Sequence, residues 1–134
     1  MSETSYVLKP KEVETQVFDW GSIKWMSSPG IKGAQRFSLG VVLLQRGKGH
    51  LTHNHPDSEE TLYVVSGEGD QMVADKRWKI TAGDIIYIPK GIMHETINTG
   101  WEPLKLIAVY SPPGPEEFLK TLPECKIMPP ETSK

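Results

Sequence analysis

Short apolar runs separated by turn-forming residues dominate the middle of the chain. Val41–Leu44, Leu62–Val65, Ile85–Ile88 and Leu104–Tyr110 are rich in β-branched or aromatic residues and bounded by Gly, Pro, Asp or Asn. Runs this short and this punctuated predict strands. Gln71–Ile80 reads as a hairpin with its turn near Asp75-Lys76. Many strands with frequent turns close into a barrel or a sandwich. Helical signal is scarce. Residues 113–122, PGPEEFLKTL, are the fair candidate. Pro115 suits a first helical turn, Glu116 and Glu117 suit the positive N-terminal end, and Lys120 lies nearer the other.

The two ends of the chain carry weaker patterns. Val17, Trp20, Ile23 and Trp25 flank Gly21 and predict either edge strands or an arm that packs on a partner subunit. The last residues, MPPETSK, predict a mobile tail. There is no internal repeat and no low-complexity segment. The expected layout is one domain: an N-terminal strand arm over residues 1–34, a barrel over 35–112, and a short helix with a tail over 113–134.

Composition narrows the function classes. A chain of 134 residues with 37% hydrophobic and 24% charged content is one globular domain able to bury its own core. A net charge of -2, with Lys76-Arg77 as the longest positive run, argues against nucleic-acid binding. No apolar run approaches membrane-spanning length, and MSETSYVLKPKE lacks an apolar signal core. The single cysteine, Cys125, cannot form an intrachain disulfide, so a reducing, cytoplasmic compartment is expected. It sits in a polar, proline-flanked stretch with no histidine nearby and reads as a bystander thiol.

The chemistry concentrates in HLTHNHPDSEE, residues 50–60, which holds three of the four histidines. Residues two apart on a strand share a face, so His53 and His55 project together and can share one ion. Pro56-Asp57-Ser58 is a turn, after which a carboxylate returns on the next strand. If Glu60 points inward, Leu62 and Val64 follow it, while Glu59, Thr61 and Tyr63 face the other side. His94 follows the Pro89-Lys90-Gly91 turn, and Thr96 shares its face. Two strand pairs can thus bring four ligands to one spot. Alternation from His53 puts His50 on the opposite face, unless the strand bulges at Gly49; it is a surface histidine or a pocket contact accordingly.

These residues resemble the two motifs of the cupin family. Gly47, His53, His55, Glu60 and Gly67 fit G(X)5HXH(X)3,4E(X)6G, and Gly83, Pro89, Gly91, His94 and Asn98 fit G(X)5PXG(X)2H(X)3N. Fifteen residues lie between Gly67 and Gly83, the short spacing of compact microbial members. The spacing also selects Glu60 over Glu59, which would bring Gly67 one residue late. The resemblance implies an all-β, double-stranded β-helix (jelly-roll) barrel, and a homodimer. It implies a metal site of His53, His55, Glu60 and His94, holding Mn, Fe, Co, Ni, Zn or Cu with one side open to a cavity. A closed structural zinc site is the competing reading of four protein ligands.

An open ion can chelate a small sugar or a hydroxy or keto acid and stabilise an enolate, which supports an isomerase or lyase. A dioxygenase with Fe or Cu and a more apolar cavity is the first alternative, and a non-catalytic ligand-binding protein the second. His50 and Tyr110 are the leading candidates for proton transfer, followed by Tyr87, Lys105 and, as an orienting group, Gln71. Tyr87 and Tyr110 also read as core or rim aromatics. Asn98 reads as a turn or hydrogen-bonding residue.

Overall fold

The computed structural model describes residues 6–131. A 3-10 turn at Pro10–Glu12 leads into β1 (Thr15–Phe18), β2 (Gly21–Ser27), β3 (Ser38–Leu44), β4 (Gly49–His53), β5 (Glu59–Ser66) and β6 (Glu68–Val73). Then follow β7 (Lys76–Thr81), β8 (Ile85–Ile88), β9 (His94–Asn98), β10 (Leu104–Ser111), α1 (Pro115–Lys120) and β11 (Lys126–Met128). A seven-stranded sheet has the order β11-β1-β2-β3-β10-β5-β8, and a four-stranded sheet the order β4-β9-β6-β7. All named pairings are antiparallel. The sheets face each other as the all-β sandwich expected of the jelly roll.

Strand alternation explains why the apolar runs are only half buried. In β3, Ser38, Gly40, Val42 and Leu44 face the interior, while Val41 and Leu43 lie on the outer side. In β10, Leu104, Leu106, Ala108 and Tyr110 point inward and Lys105 is exposed. β7 buries Ile80 alone and carries Lys76, Arg77 and Lys79 outward, which suits an edge strand that must not template another chain. The β6–β7 hairpin turns at Ala74-Asp75, one residue before the expected point, with Ala74 in the left-handed region at φ 57°.

The N-terminal strands are built into the seven-stranded sheet. β2 pairs with β3, and Phe18, Trp20, Ile23 and Trp25 join the chain's own core. Trp20 and Trp25 are only 8% and 7% exposed, so they are not available to a partner subunit. Trp25 Nε1 donates to Gln16 Oε1 at 3.0 Å, and Gln16 Nε2 donates to the Glu116 carbonyl at 3.1 Å. This polar bridge ties the first hairpin to α1. Gly40 makes room for Trp25: a Cβ there would lie 2.9 Å from the indole Cε3.

The C-terminal segment differs from the expectation in two ways. The helix covers Pro115–Lys120, shorter than residues 113–122, and buries Pro115, Glu116 and Leu119. The stretch expected to be mobile begins inside β11, where Met128 pairs with Thr15, and the Glu131 amide donates to the Lys11 carbonyl at 2.9 Å. β11 exposes all three side chains, so its pairing rests on the backbone and leaves no apolar pattern to read. Residues 132–134 of that tail lie outside the described residues. Cys125 is half-buried against the core, and burial pushes its thiol up, as suits a bystander.

Candidate metal centre

The facing strands β4 and β9 set the centre. His50 pairs with Thr96 and His53 with His94, so three steps along β4 match two along β9. The extra residue is a β-bulge between His50 and His53. His94 and Thr96 both face inward, so the bulge turns His50 to the same side as His53. The alternation expected from His53 fails for this reason. The bulge lies just beyond Gly49, whose added Cβ would meet the Thr96 carbonyl at 2.5 Å.

His55 lies beyond the end of β4, in the loop to β5. Its carbonyl accepts the Gly91 amide at 3.0 Å, and Asn54 Nδ2 donates to the Gly91 carbonyl at 3.2 Å. Gly91 turns with φ 80°, a conformation that favours glycine. The turn before His94 therefore holds the loop that carries His55. Glu60 is the buried second residue of β5, opposite Tyr110 on one neighbour and Ile88 on the other. Glu59 is exposed and accepts the Tyr87 hydroxyl at 2.7 Å, on the outside of the barrel.

Three imidazoles converge on one point. The ligating nitrogens of His53, His55 and His94 lie within 4.8 Å of one another. Glu60 Oε1 stands 3.1 Å from His94 Nε2 and 3.5 Å from His55 Nε2. These three atoms are buried, and none has the geometry of a hydrogen bond. The 3.1 Å approach is a contact without alignment. His94 Nδ1 lies 2.9 Å from the Ile92 carbonyl, which assigns the proton to Nδ1 and leaves the Nε2 lone pair facing the cluster. Buried imidazole nitrogens and a carboxylate oxygen that converge without hydrogen-bond partners suit a divalent cation, and N/O ligands suit a first-row transition metal.

Electrostatics separates the neighbours. Burial lowers the His55 imidazole, against the pull of Glu60. Burial would lower His94 as well, but the Glu60 carboxylate and the Ile92 carbonyl outweigh it and raise it. His50, half-buried and beside three other imidazoles, is lowered to about 3 by desolvation and those neighbours and is neutral at ordinary pH. Its ring centroid is 4.0 Å from that of His53 and 4.8 Å from that of Trp20. Burial and the adjacent Glu60 charge push the Tyr110 phenol well above its usual range. Tyr110 therefore stays protonated, stands opposite Glu60 in the β5–β10 register, and meets the His55 ring edge-on at 4.9 Å.

The cluster sits between two spaces. An outer mouth of about 390 Å³ is lined by His50, His53 and His55 together with Trp20, Phe118 and Leu122. An inner void of about 40 Å³ touches His50, His53, Glu60, His94, Thr96 and Tyr110, with apolar walls from Leu62, Leu106 and Ala108. Thr96 Oγ1 donates to Gln71 Oε1, and Gln71 is fully buried, so this pair braces the wall. Lys105 and Tyr87 lie on the outer surface, away from the cluster, which removes them as candidates for proton transfer. The interior walls are more apolar than the small polar site expected for a sugar isomerase. Trp20 and the α1 residues of the mouth were not legible as site residues, because nothing local marks them.

The Cupin domain family model matches residues 40–110. An uncharacterised protein of Methanocaldococcus jannaschii is 31% identical over 104 residues, covering 78% of this chain and 83% of its own. The structure of KdgF from Halomonas superposes with a TM-score of 0.72 at 18% identity, covering 84% of this chain and 99% of that one. The Lactobacillus farciminis oxalate decarboxylase, solved as a formate complex, has a TM-score of 0.69 at 29% identity, covering 83% of this chain and 36% of that one. With the family model spanning more than half of the chain, and the histidine cluster inside a jelly-roll sandwich, this protein belongs to the cupin family.

Proposed function

We propose that the protein is a metal-dependent enzyme that isomerises or eliminates on a small hydroxy or keto acid, with His53, His55, Glu60 and His94 as the ligands. The observation that carries this is the convergence of three imidazoles on the buried, unaligned Glu60 Oε1, between a mouth and an inner void. A site flanked by two spaces leaves room for a further ligand, which a closed structural zinc site lacks. The similarity to an oxalate decarboxylase, a lyase of a two-carbon acid, supports the same class.

A divalent cation held there supplies Lewis acidity to a substrate's carboxylate and adjacent oxygen. The chain does the rest. The Ile92 carbonyl fixes the His94 tautomer, and the protonated Tyr110 hydroxyl is the donor available to the Glu60 carboxylate. Tyr110, protonated and fully buried, is a donor and not the base. His50 presents a neutral imidazole beside the cluster, able to accept a hydrogen bond from a substrate hydroxyl but too weakly basic to hold a proton at ordinary pH. The apolar inner walls exclude bulk water from the reacting atoms. The homodimer expected from the family belongs to this proposal; it would use the outer face of the seven-stranded sheet, where Met26, Val41, Leu43 and Ile107 line a groove.

A dioxygenase is the second reading, favoured by the apolar walls and by a 40 Å³ void, a volume suited to a diatomic or a few waters. One experiment separates them. Protein purified without added metal is analysed for its elements, loaded, and given keto and hydroxy acids in deuterated water without oxygen. Deuterium entering next to the carbonyl supports the first reading. Oxygen consumption once air is admitted, with no such exchange beforehand, supports the second. A protein that retains no divalent metal after loading refutes both.

A further inference from the structure

The mouth differs in character from the cluster it leads to. Its wall is apolar: Trp20 from the β1–β2 turn, and Phe118, Leu119 and Leu122 from α1 and the segment after it. Trp20 is held rigidly, stacked on Phe18 with ring centroids 4.6 Å apart and planes 5° from parallel. Phe118 is 62% exposed, although Pro115, Glu116 and Leu119 of the same short helix are buried. A second cleft of about 500 Å³ shares Asn54, His55 and Phe118 with the mouth, so the Phe118 ring stands where two clefts meet beside a cluster histidine.

The polar groups lie off this wall, at the rim and at the cluster itself, where His50, His53 and His55 line the mouth. Asp19, Lys48 and Glu124 form the charged rim. Asn54 already donates its side-chain amide to Gly91. A polyhydroxylated body would bring many hydroxyl groups into a space that offers them few partners, and each unpaired one costs binding. The inner void of about 40 Å³ is too small for a sugar ring, so whatever lies beyond the chelating oxygens must lie in the mouth. An exposed phenyl ring beside a rigid indole is a surface that a flat apolar body covers favourably.

Resting on the proposed open metal site, we infer that the mouth selects an α-hydroxy or α-keto acid with a flat apolar body, seated against Phe118 and Leu122, in preference to a sugar acid. The test uses three α-hydroxy acids with one chelating head and different bodies: lactate, mandelate and gluconate. Binding is read from the visible spectrum of the cobalt(II)-loaded protein, without reference to turnover. Mandelate is expected to bind about tenfold more tightly than lactate, the amount that covering one face of a phenyl ring supplies. Gluconate is expected to gain nothing over lactate. In Phe118→Ser the mandelate-to-lactate ratio falls to about one.

A ratio near one in the parent protein overturns the inference, as does a ratio that Phe118→Ser leaves intact. Gluconate binding tightest also overturns it, while leaving the open metal site standing. If none of the three acids perturbs the cobalt spectrum, the open site itself fails, and this inference with it.

Discussion

Tyr110→Phe isolates one hydroxyl with little disturbance of the core. The phenyl ring keeps its edge contact with His55 at 4.9 Å and its place 5.7 Å from Trp25. What disappears is the phenolic hydroxyl, a donor beside the buried Glu60 carboxylate, its partner across the β5–β10 register. A hydrogen bond to a charged group contributes about 1.5–3 kcal/mol. Converted at about 1.4 kcal/mol per tenfold, that is about 10–100-fold in affinity if the bond serves to orient a ligand carboxylate. Loss of a partner that orients a metal ligand spans the same range, about 10–100-fold. Zinc affinity is measured by competition with a chelator of known strength, and folding by a thermal melt of the metal-free protein. The zinc Kd is expected to rise about 10–100-fold while the melt stays cooperative. A Kd within about twofold of the parent, with the fold intact, would refute the argument that Tyr110 orients Glu60.

Three further outcomes follow from other contacts. Glu60→Gln keeps the shape of the side chain but removes the charge facing His55 and His94, and is expected to cost more than about 100-fold in zinc affinity; Glu59→Gln, which alters only the surface bond to Tyr87, is expected to change nothing in the same titration. Asn98→Ala removes bonds from Nδ2 to the Leu44 and Glu102 carbonyls at 2.9 and 2.8 Å and from the Gly100 amide to Oδ1 at 2.8 Å. At about 1 kcal/mol each, it should lower the urea-unfolding free energy by about 3 kcal/mol. Gly40→Ala drives a methyl into the Trp25 ring and should destabilise by about 1–3 kcal/mol, with a shifted tryptophan emission as the core repacks.

Asn98 illustrates how a sequence motif becomes structure. Its spacing from His94 marks it as a hydrogen-bonding residue, and the fold puts it where the β9–β10 connection is fastened to the end of β3. The glutamates show the reach of strand parity. A period of two, counted from one inward position, separates Glu60 in the core from Glu59 on the surface with no knowledge of the partner strands. The apolar runs succeed for the same reason, because the identity of a strand is written in its own few residues.

His50 lies beyond that reach. Its side depends on a bulge, and a bulge is a relation between two strands distant in the chain, here three steps along β4 against two along β9. Parity counted along one strand therefore gives the wrong face. Trp20 and Phe118 become walls of the mouth only when the first hairpin and the last helix are brought to the same end of the barrel. β11 forms by backbone pairing with β1, which leaves no trace in its side chains. Local spacing, acting through periodic backbone geometry, determined the strands and marked the histidines and the glutamate that the fold gathers. Long-range register decided which groups surround the ligands, because only the pairing of distant segments turns a spacing into a cavity.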